Sequence, residues 1–375
     1  MSSSVMNPTS RPTLRRWLVA GLIGAGLLLC LAALTIYFGA TFSTVAIVVG
    51  ILAALIPVGI VVPSFLWLDR FEAEPARYLI FAFLAGALVA TALAMVANTG
   101  AMAVFLAVTD ENSAQATTAI FVAPIVEESL KGSIVLLMWW FRRQEFDGIV
   151  DGLVYAGIVA AGFAFTENIQ YMAVAWTDGG AQMLTGVFFG RGLLSPFAHP
   201  MFTSLTGLGI GIAAESRSSL VRVVAPVIGW VLAVIAHGGW NLLAFSGSGI
   251  LAGYLFIGVP VFVAYTVFVI WVRRREGRLI GRYLSDYAAY GWLSPGEVEM
   301  LSSMRGRRQA LGWARHSGGS QRFTAMRAFQ DNASELALLR ARMANGHATS
   351  TAPQTERRLL DALSRSRAQM LAPAR

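Results

Sequence analysis

The sequence predicts an all-α fold, a polytopic membrane helix bundle of about eight transmembrane helices followed by a helical cytoplasmic tail. Three observations lead there. Of the 375 residues 56% are hydrophobic and 13% charged, with a mean hydropathy of +0.60, whereas a soluble chain carries about 25% charged residues. A bilayer has to replace water around much of this chain. Apolar runs long enough to cross it, about 17 to 25 residues for a helix, begin near Trp17, Thr44, Tyr78, Thr117, Ile149, Leu184, Arg222 and Ile250. The charges also separate: residues 1–272 hold 11 Lys+Arg against 13 Asp+Glu, and residues 273–375 hold 18 against 8, so the net +8 belongs to the tail. Glycine shows no triplet period, apolar content is high, and the single Cys30 has no intrachain disulfide partner. Collagen-like, disordered and disulfide-stapled chains are therefore excluded.

Taken in order, residues 1–16 read as a cytoplasmic N-terminal segment bearing Arg11, Arg15 and Arg16, and residues 17–272 as the membrane-embedded domain. The first apolar run is too long for a signal-peptide core and lacks an A-x-A-like cleavage site, so it is a retained span. Arg70 with Arg77, Arg142 with Arg143, Arg217 with Arg222, and Arg273 to Arg275 then fall at every second boundary, while the loops around Thr41, Asp110, Asp178 and Gly247 hold no lysine or arginine. The positive-inside rule places both termini in the cytoplasm. Abundant alanine and glycine beside a single lysine, Lys131, suggest a GC-rich bacterial source, hence a bacterial plasma membrane. Residues 273–375 form a basic helical tail with breaks near Gly291, Gly318–Gly319 and Ala348–Pro353, and Ser294, Pro295 and Glu297 spell a helix start. Its arginines either form a solvated face or hold the tail to anionic lipid, each worth up to about 1 kcal/mol. No nucleic-acid motif accompanies the charge, and no nucleic acid is expected.

Polar residues crowd into spans four to seven. The fourth contains Glu127, Glu128 and Lys131 near its middle; ionised there without partners, the three would cost on the order of 8 to 10 kcal/mol. Either carboxylate can reach the ammonium across one helical turn. The fifth span places Phe163 and Glu167 on one face, the sixth supplies His199, and the seventh places His237 and Asn241 on one face. Four successive helices on short loops pack together, so these groups converge on one cavity, and carboxylates with imidazoles move protons from water or bind zinc. A hydrolytic site inside the membrane follows. There is no HExxH pair, and position 203, four after His199, is threonine. Covalent catalysis is disfavoured, because no serine or threonine in these spans has a recognisable base and Cys30 lies in the first span.

Glu127-Glu128-x-x-Lys131 resembles the EExxK motif of the PrsW family of intramembrane metalloproteases, and Phe163-x-x-x-Glu167 its FxxxE motif. His199 and His237-x-x-x-Asn241 are similar to the later histidine motifs of that family and of the related type II CAAX prenyl proteases. Asp69-Arg70-Phe71-Glu72 and Asp151-Gly152 are weaker echoes. The resemblance covers about residues 60–246 and leaves out the tail. It implies a peptidase that cuts membrane-protein substrates in or near their transmembrane segments, in some members releasing an anti-sigma factor. It further implies that Glu127 or Glu128 activates water while Lys131 holds the pair, that Glu167, His199 and His237 are ligands, of Zn2+ by their chemistry, or polarising groups, and that Asn241 stabilises the oxyanion. Glutamate at 167, where the prenyl-protease relatives carry histidine, argues against a prenylated substrate. Metal-free general-base catalysis is the mechanistic alternative. A proton-coupled transporter using the same cluster is a second function, although it predicts repeat symmetry that is absent here, and a non-catalytic membrane scaffold is a third.

Overall fold

The computed structural model describes residues 14–143, 146–346 and 350–372, with backbone alone at 14–16, 248 and 250. Arg11 and the start of the break expected over Ala348–Pro353 lie outside the described residues, which show one helix ending at Ala344 and the next beginning at Ala352. Among these, helices and no strands are found: α1 (Leu14–Thr41), α2 (Thr44–Leu68), α3 (Ala76–Leu84), α4 (Thr91–Leu106), α5 (Glu111–Thr117), α6 (Ala123–Phe141), α7 (Ile149–Val187), α8 (Ala198–Glu215), α9 (Ser219–Ala244), α10 (Ile250–Gly253), α11 (Val259–Ala289), α12 (Pro295–Leu301), α13 (Met304–Ala344) and α14 (Ala352–Leu371). Single π-helical segments join α3 to α4, α5 to α6, and α10 to α11.

Among the described residues six helical stretches are long and apolar enough to cross a membrane: Trp17–Thr41, Thr44–Leu68, Ala76–Leu106, Ile149–Glu215, Ser219–Ala244 and Leu251–Ala289. The fourth of these holds both α7 and α8. The α5–α6 arm stands outside the six, since Glu127, Glu128 and Lys131 interrupt its hydropathy. Outward-facing leucine and isoleucine such as Leu22, Leu29 and Ile36 on α1 are largely exposed, as a lipid-facing surface requires.

The centre of the bundle is α7, which packs against α2, α3, α6 and α8 and is buried at every position from Asp151 to Ala164. Small residues make this possible. A Cβ on Gly152 would overlap the Gly207 carbonyl of α8, and one on Gly207 would meet the Gly152 carbonyl in turn, so the two backbones touch as close-packed membrane helices do. The span expected to begin near Leu184 starts just before it: at Gly180 (φ +59°) the chain leaves helical geometry and turns back along α7, so that Arg191 meets Glu167 and Gly207 meets Gly152, and this return runs through a short helix to Leu194 and a break at Ser195 into α8 from Ala198. Ser195 precedes Pro196, whose ring disfavours helical backbone at the residue before it.

Beyond the membrane stretch α11 continues into the tail. The expected helix start is present, with the Ser294 amide donating to Glu297 Oε2 at 2.7 Å and the Glu297 amide to Ser294 Oγ at 3.2 Å. Gly291 is in the left-handed region at φ +78°, and Gly318–Gly319 interrupt α13. The tail has its own core, built around Ile280, Leu284, Leu301, Phe329, Leu336 and Leu363, and Phe71 from the α2–α3 loop is inserted into it. Buried Arg307 donates to the Phe71 carbonyl at 3.1 Å and the Gln330 carbonyl at 2.6 Å. Arg342 pairs with Asp147, and Arg217 donates to the Asn345 carbonyl. The α2–α3, α6–α7 and α8–α9 loops, where the basic boundary residues sit, thus share one side of the bundle with the tail.

Candidate active site

The polar residues of α6, α7, α8 and α9 meet at one place. Glu128 and Lys131 are completely buried and Glu127 is 5% exposed, so each needs partners within the protein. Glu128 has them in full. Its Oε1 accepts from Lys131 Nζ at 2.6 Å and from His237 Nδ1 at 3.0 Å, and its Oε2 accepts from the Thr203 hydroxyl at 2.8 Å. Glu127 is different: Oε1 accepts from Asn98 Nδ2 at 3.2 Å, and Oε2 is buried with no hydrogen-bond partner. That idle oxygen lies 3.9 Å from both Lys131 Nζ and His237 Nε2.

The partners fix the imidazoles. A carboxylate only accepts and an ammonium only donates. His237 therefore donates from Nδ1 to Glu128, and in the neutral ring the Nε2 lone pair is then directed towards Glu127. His199 donates from Nε2 to Glu167 Oε2 at 2.8 Å, and its Nδ1, 3.3 Å from Lys131 Nζ, carries the lone pair. The two rings stand perpendicular with centroids 5.1 Å apart, Phe202 stacks on His237 at 5.3 Å, and Phe163 lies under the Lys131 ammonium at 4.5 Å.

Of the residues singled out in the sequence, Glu127, Glu128, Lys131, Glu167, His199 and His237 are thus brought together. Glu167 sits at the edge, paired with Arg191 as well as His199. Among the described residues Glu127, His199 and His237 form a potential ligand group, their ligand atoms lying within 4.8 Å of one another. Asn241 faces elsewhere, its amide donating to the Ala119 carbonyl in the π-helical segment before α6 at 2.8 Å. Sequence reasoning missed Asn98, Thr203 and Arg191. The signal was there for Asn98 and Arg191, polar groups inside apolar runs; position 203 was noticed only for lacking a histidine.

A buried carboxylate with a free oxygen, facing an imidazole lone pair, has the chemistry of a ligand or a base. The sequence over residues 74–271 matches the PrsW family intramembrane metalloproteases. This chain belongs to the PrsW family. It is 27% identical over 164 residues to Protease PrsW of Geobacillus kaustophilus (strain HTA426), covering 44% of this chain and 66% of that protein. It is 28% identical over 159 residues to Protease PrsW of Clostridioides difficile (strain 630), covering 42% and 62%, and 23% identical over 235 residues to Protease PrsW of Bacillus subtilis (strain 168), covering 61% and 94%. The first two matches thus span slightly less than two thirds of those PrsW proteases. No solved structure matches the chain.

Glu127, His199 and His237 fit the metal that the PrsW family description implies. Two imidazoles and a carboxylate are a ligand set of catalytic zinc, the unpartnered Glu127 oxygen has a lone pair without a partner, and both histidines have a carboxylate on the opposite ring nitrogen, the arrangement that orients metal-binding imidazoles.

Proposed function

We propose that this protein is an intramembrane peptidase that hydrolyses peptide bonds in or near the transmembrane segments of membrane proteins, with water as the nucleophile. The observation that carries this reading is the unpartnered, buried Oε2 of Glu127 facing His237 Nε2 across 3.9 Å. A separation of that size admits one water bonded to both atoms. Glu128, with every oxygen engaged, orients His237 and balances Lys131; Glu127 receives the proton of the attacking water and becomes neutral, and the negative charge thereby left on the attacking oxygen is stabilised by the Lys131 ammonium, which lies 3.9 Å from the receiving carboxylate oxygen. A zinc ion held by Glu127, His199 and His237 would supply Lewis acidity and bring the pKa of a bound water towards neutrality, and Glu127 would then serve as a ligand in place of its role as proton acceptor.

We further propose eight membrane crossings, with α5–α6 added and the Ile149–Glu215 stretch counted as two passes that turn at Gly180, and a cytoplasmic tail side. Glu127, Glu167, His199 and His237 lie roughly 14 to 18 residues from the tail-side ends of their helices, which at 1.5 Å per residue is roughly 20 to 27 Å. The cut would then fall in the outer half of the bilayer. A membrane-held anti-sigma-like factor is a substrate of the expected class, and exposed arginines of the tail are available to anionic lipid. The test is purified protein in lipid with a library of transmembrane peptides, read by mass spectrometry. Cleavage by the native chain and none by Glu127→Gln supports the reading; solute flux without cleavage selects a carrier instead.

A further inference from the structure

Arg191 stands out among the groups that the proposed chemistry leaves unused. It lies in the short helix Phe188–Leu194 that precedes α8, and three residues on α7 engage its guanidinium. It pairs with Glu167 Oε2, donates from Nε to Asn168 Oδ1 at 2.9 Å, and sits 3.8 Å over the Tyr171 ring. A planar cation held on three sides is fixed in orientation, which a lysine in its place would not be. The oxygen it grips is the one that accepts the hydrogen bond from His199 Nε2–H. That proton decides where the imidazole lone pair points: with Nε2 protonated, Nδ1 faces Lys131 and the cluster.

We infer that Arg191 is a positioning residue that pins Glu167 against His199, holds that imidazole in its Nε2–H tautomer, and so keeps the Nδ1 lone pair turned into the site. Glu167 then acts through His199 and is not itself a ligand. The inference rests on the reading of this cluster as the active site, and it differs from substrate recognition by Arg191, which the partial exposure of its side chain would also permit. Substrate recognition predicts a change in KM; positioning predicts a change in kcat alone.

The test uses the full-length protein in lipid nanodiscs, labelled with nitrogen-15 at histidine. Only four histidines occur in the chain, and Asn substituted at His199 assigns its signals. The native protein is expected to show His199 locked as the Nε2–H tautomer, Arg191→Met a mixture of tautomers, and Arg191→Lys an intermediate state. An unchanged tautomer in Arg191→Met overturns the inference, whether or not the protein cleaves any peptide. Should Arg191→Met fail to fold because Glu167 is left as a bare buried carboxylate, Arg191→Met combined with Glu167→Gln removes that charge and replaces it in the measurement, with tautomer mixing again expected. On the library peptide cleaved best, Arg191→Met is expected to lower kcat about 10- to 100-fold, the usual cost of losing an outer-shell partner, at constant KM. The double variant should be no slower than the slower single one, because both act on one hydrogen bond. A raised KM, or losses that multiply, assigns Arg191 to the substrate and overturns the proposal. A native chain that cleaves nothing refutes the peptidase reading and leaves the tautomer result to decide the role of Arg191.

Discussion

At the scale of single residues the two adjacent glutamates are chemically unlike, although the sequence presents them as equivalent. Glu128 holds Lys131, His237 and Thr203, and Glu127 keeps one oxygen free. Glu127→Gln is therefore expected to lower peptide turnover by on the order of 10²- to 10⁴-fold, the range for loss of a general base, with the thermal midpoint in detergent nearly unchanged. Glu128→Gln should lower both, because it removes the carboxylate hydrogen-bonded to the buried Lys131 ammonium and leaves only Glu127, 3.9 Å away, as counter-ion, a loss of up to about 3 to 5 kcal/mol; equal stability of the two variants would contradict this division. Metal content gives a second measurement. If Glu127, His199 and His237 hold zinc, Glu127→Gln is expected to lose the ion and Glu167→Gln to keep it, and the opposite result restores the set of Glu167, His199 and His237 expected from the sequence. Which groups meet was legible from span order and helical spacing. How they divide the work was not, since it depends on Thr203, Asn98 and Arg191, whose partners lie 75, 29 and 24 residues away in the chain.

Helices and loops were legible to the extent that apolar period and turn chemistry act locally. The Ser294 helix start and the glycine breaks in the tail follow from residues within a turn of each other. The sixth span shows the limit: hydropathy places its start near Leu184, close to the turn at Gly180, but cannot see the break at Ser195 before Pro196 that divides it ahead of α8. Packing between helices allows a direct check at α7. Gly152→Leu or Gly207→Leu would force the α7 and α8 backbones apart and should destabilise the fold by about 1 to 3 kcal/mol or more, whereas Gly100→Leu on α4 meets nothing within 4 Å and should cost little; unfolding in detergent compares the three. The α2–α3 loop gives a pH dependence. Burial, with the neighbouring Asp151 carboxylate adding to it, pushes Asp69 up to about 8 and Glu74 up to about 9. The folded loop thus binds protons that the unfolded chain, with carboxyl groups near 4, has released. Stability is expected to fall as pH rises from about 5 to 9, and Glu74→Gln should flatten that fall while keeping the hydrogen bond from Tyr155. A thermal midpoint constant over this range would show the loop carboxylates to be ionised throughout.

For the whole molecule, the placement of basic loops on one side with the tail makes the topology testable. With the tail in the cytoplasm, a cysteine placed at Asp178 should react with an impermeant reagent added outside intact cells, and one at Arg217 should not; the reverse labelling inverts the protein. Every candidate catalytic group lies on α6 to α9, so a chain ending after Ala289 is expected to retain turnover within a few-fold in detergent while melting at a lower temperature. Loss of all activity in a still folded chain would mean that the tail completes the site. The tail was legible as helical and basic, but nothing in its sequence indicated that Phe71, more than 200 positions earlier, fills its core. That insertion makes the α2–α3 loop a mechanical linkage. At its one end Phe71 is gripped by the tail and Arg307; a few residues on, Glu74 is tied at 2.6 Å to Tyr155 on α7, the same rod that carries Glu167 farther along. A pull or twist applied to the tail has a short, stiff path to the helix bearing one wall of the site, like a handle bolted to a shaft.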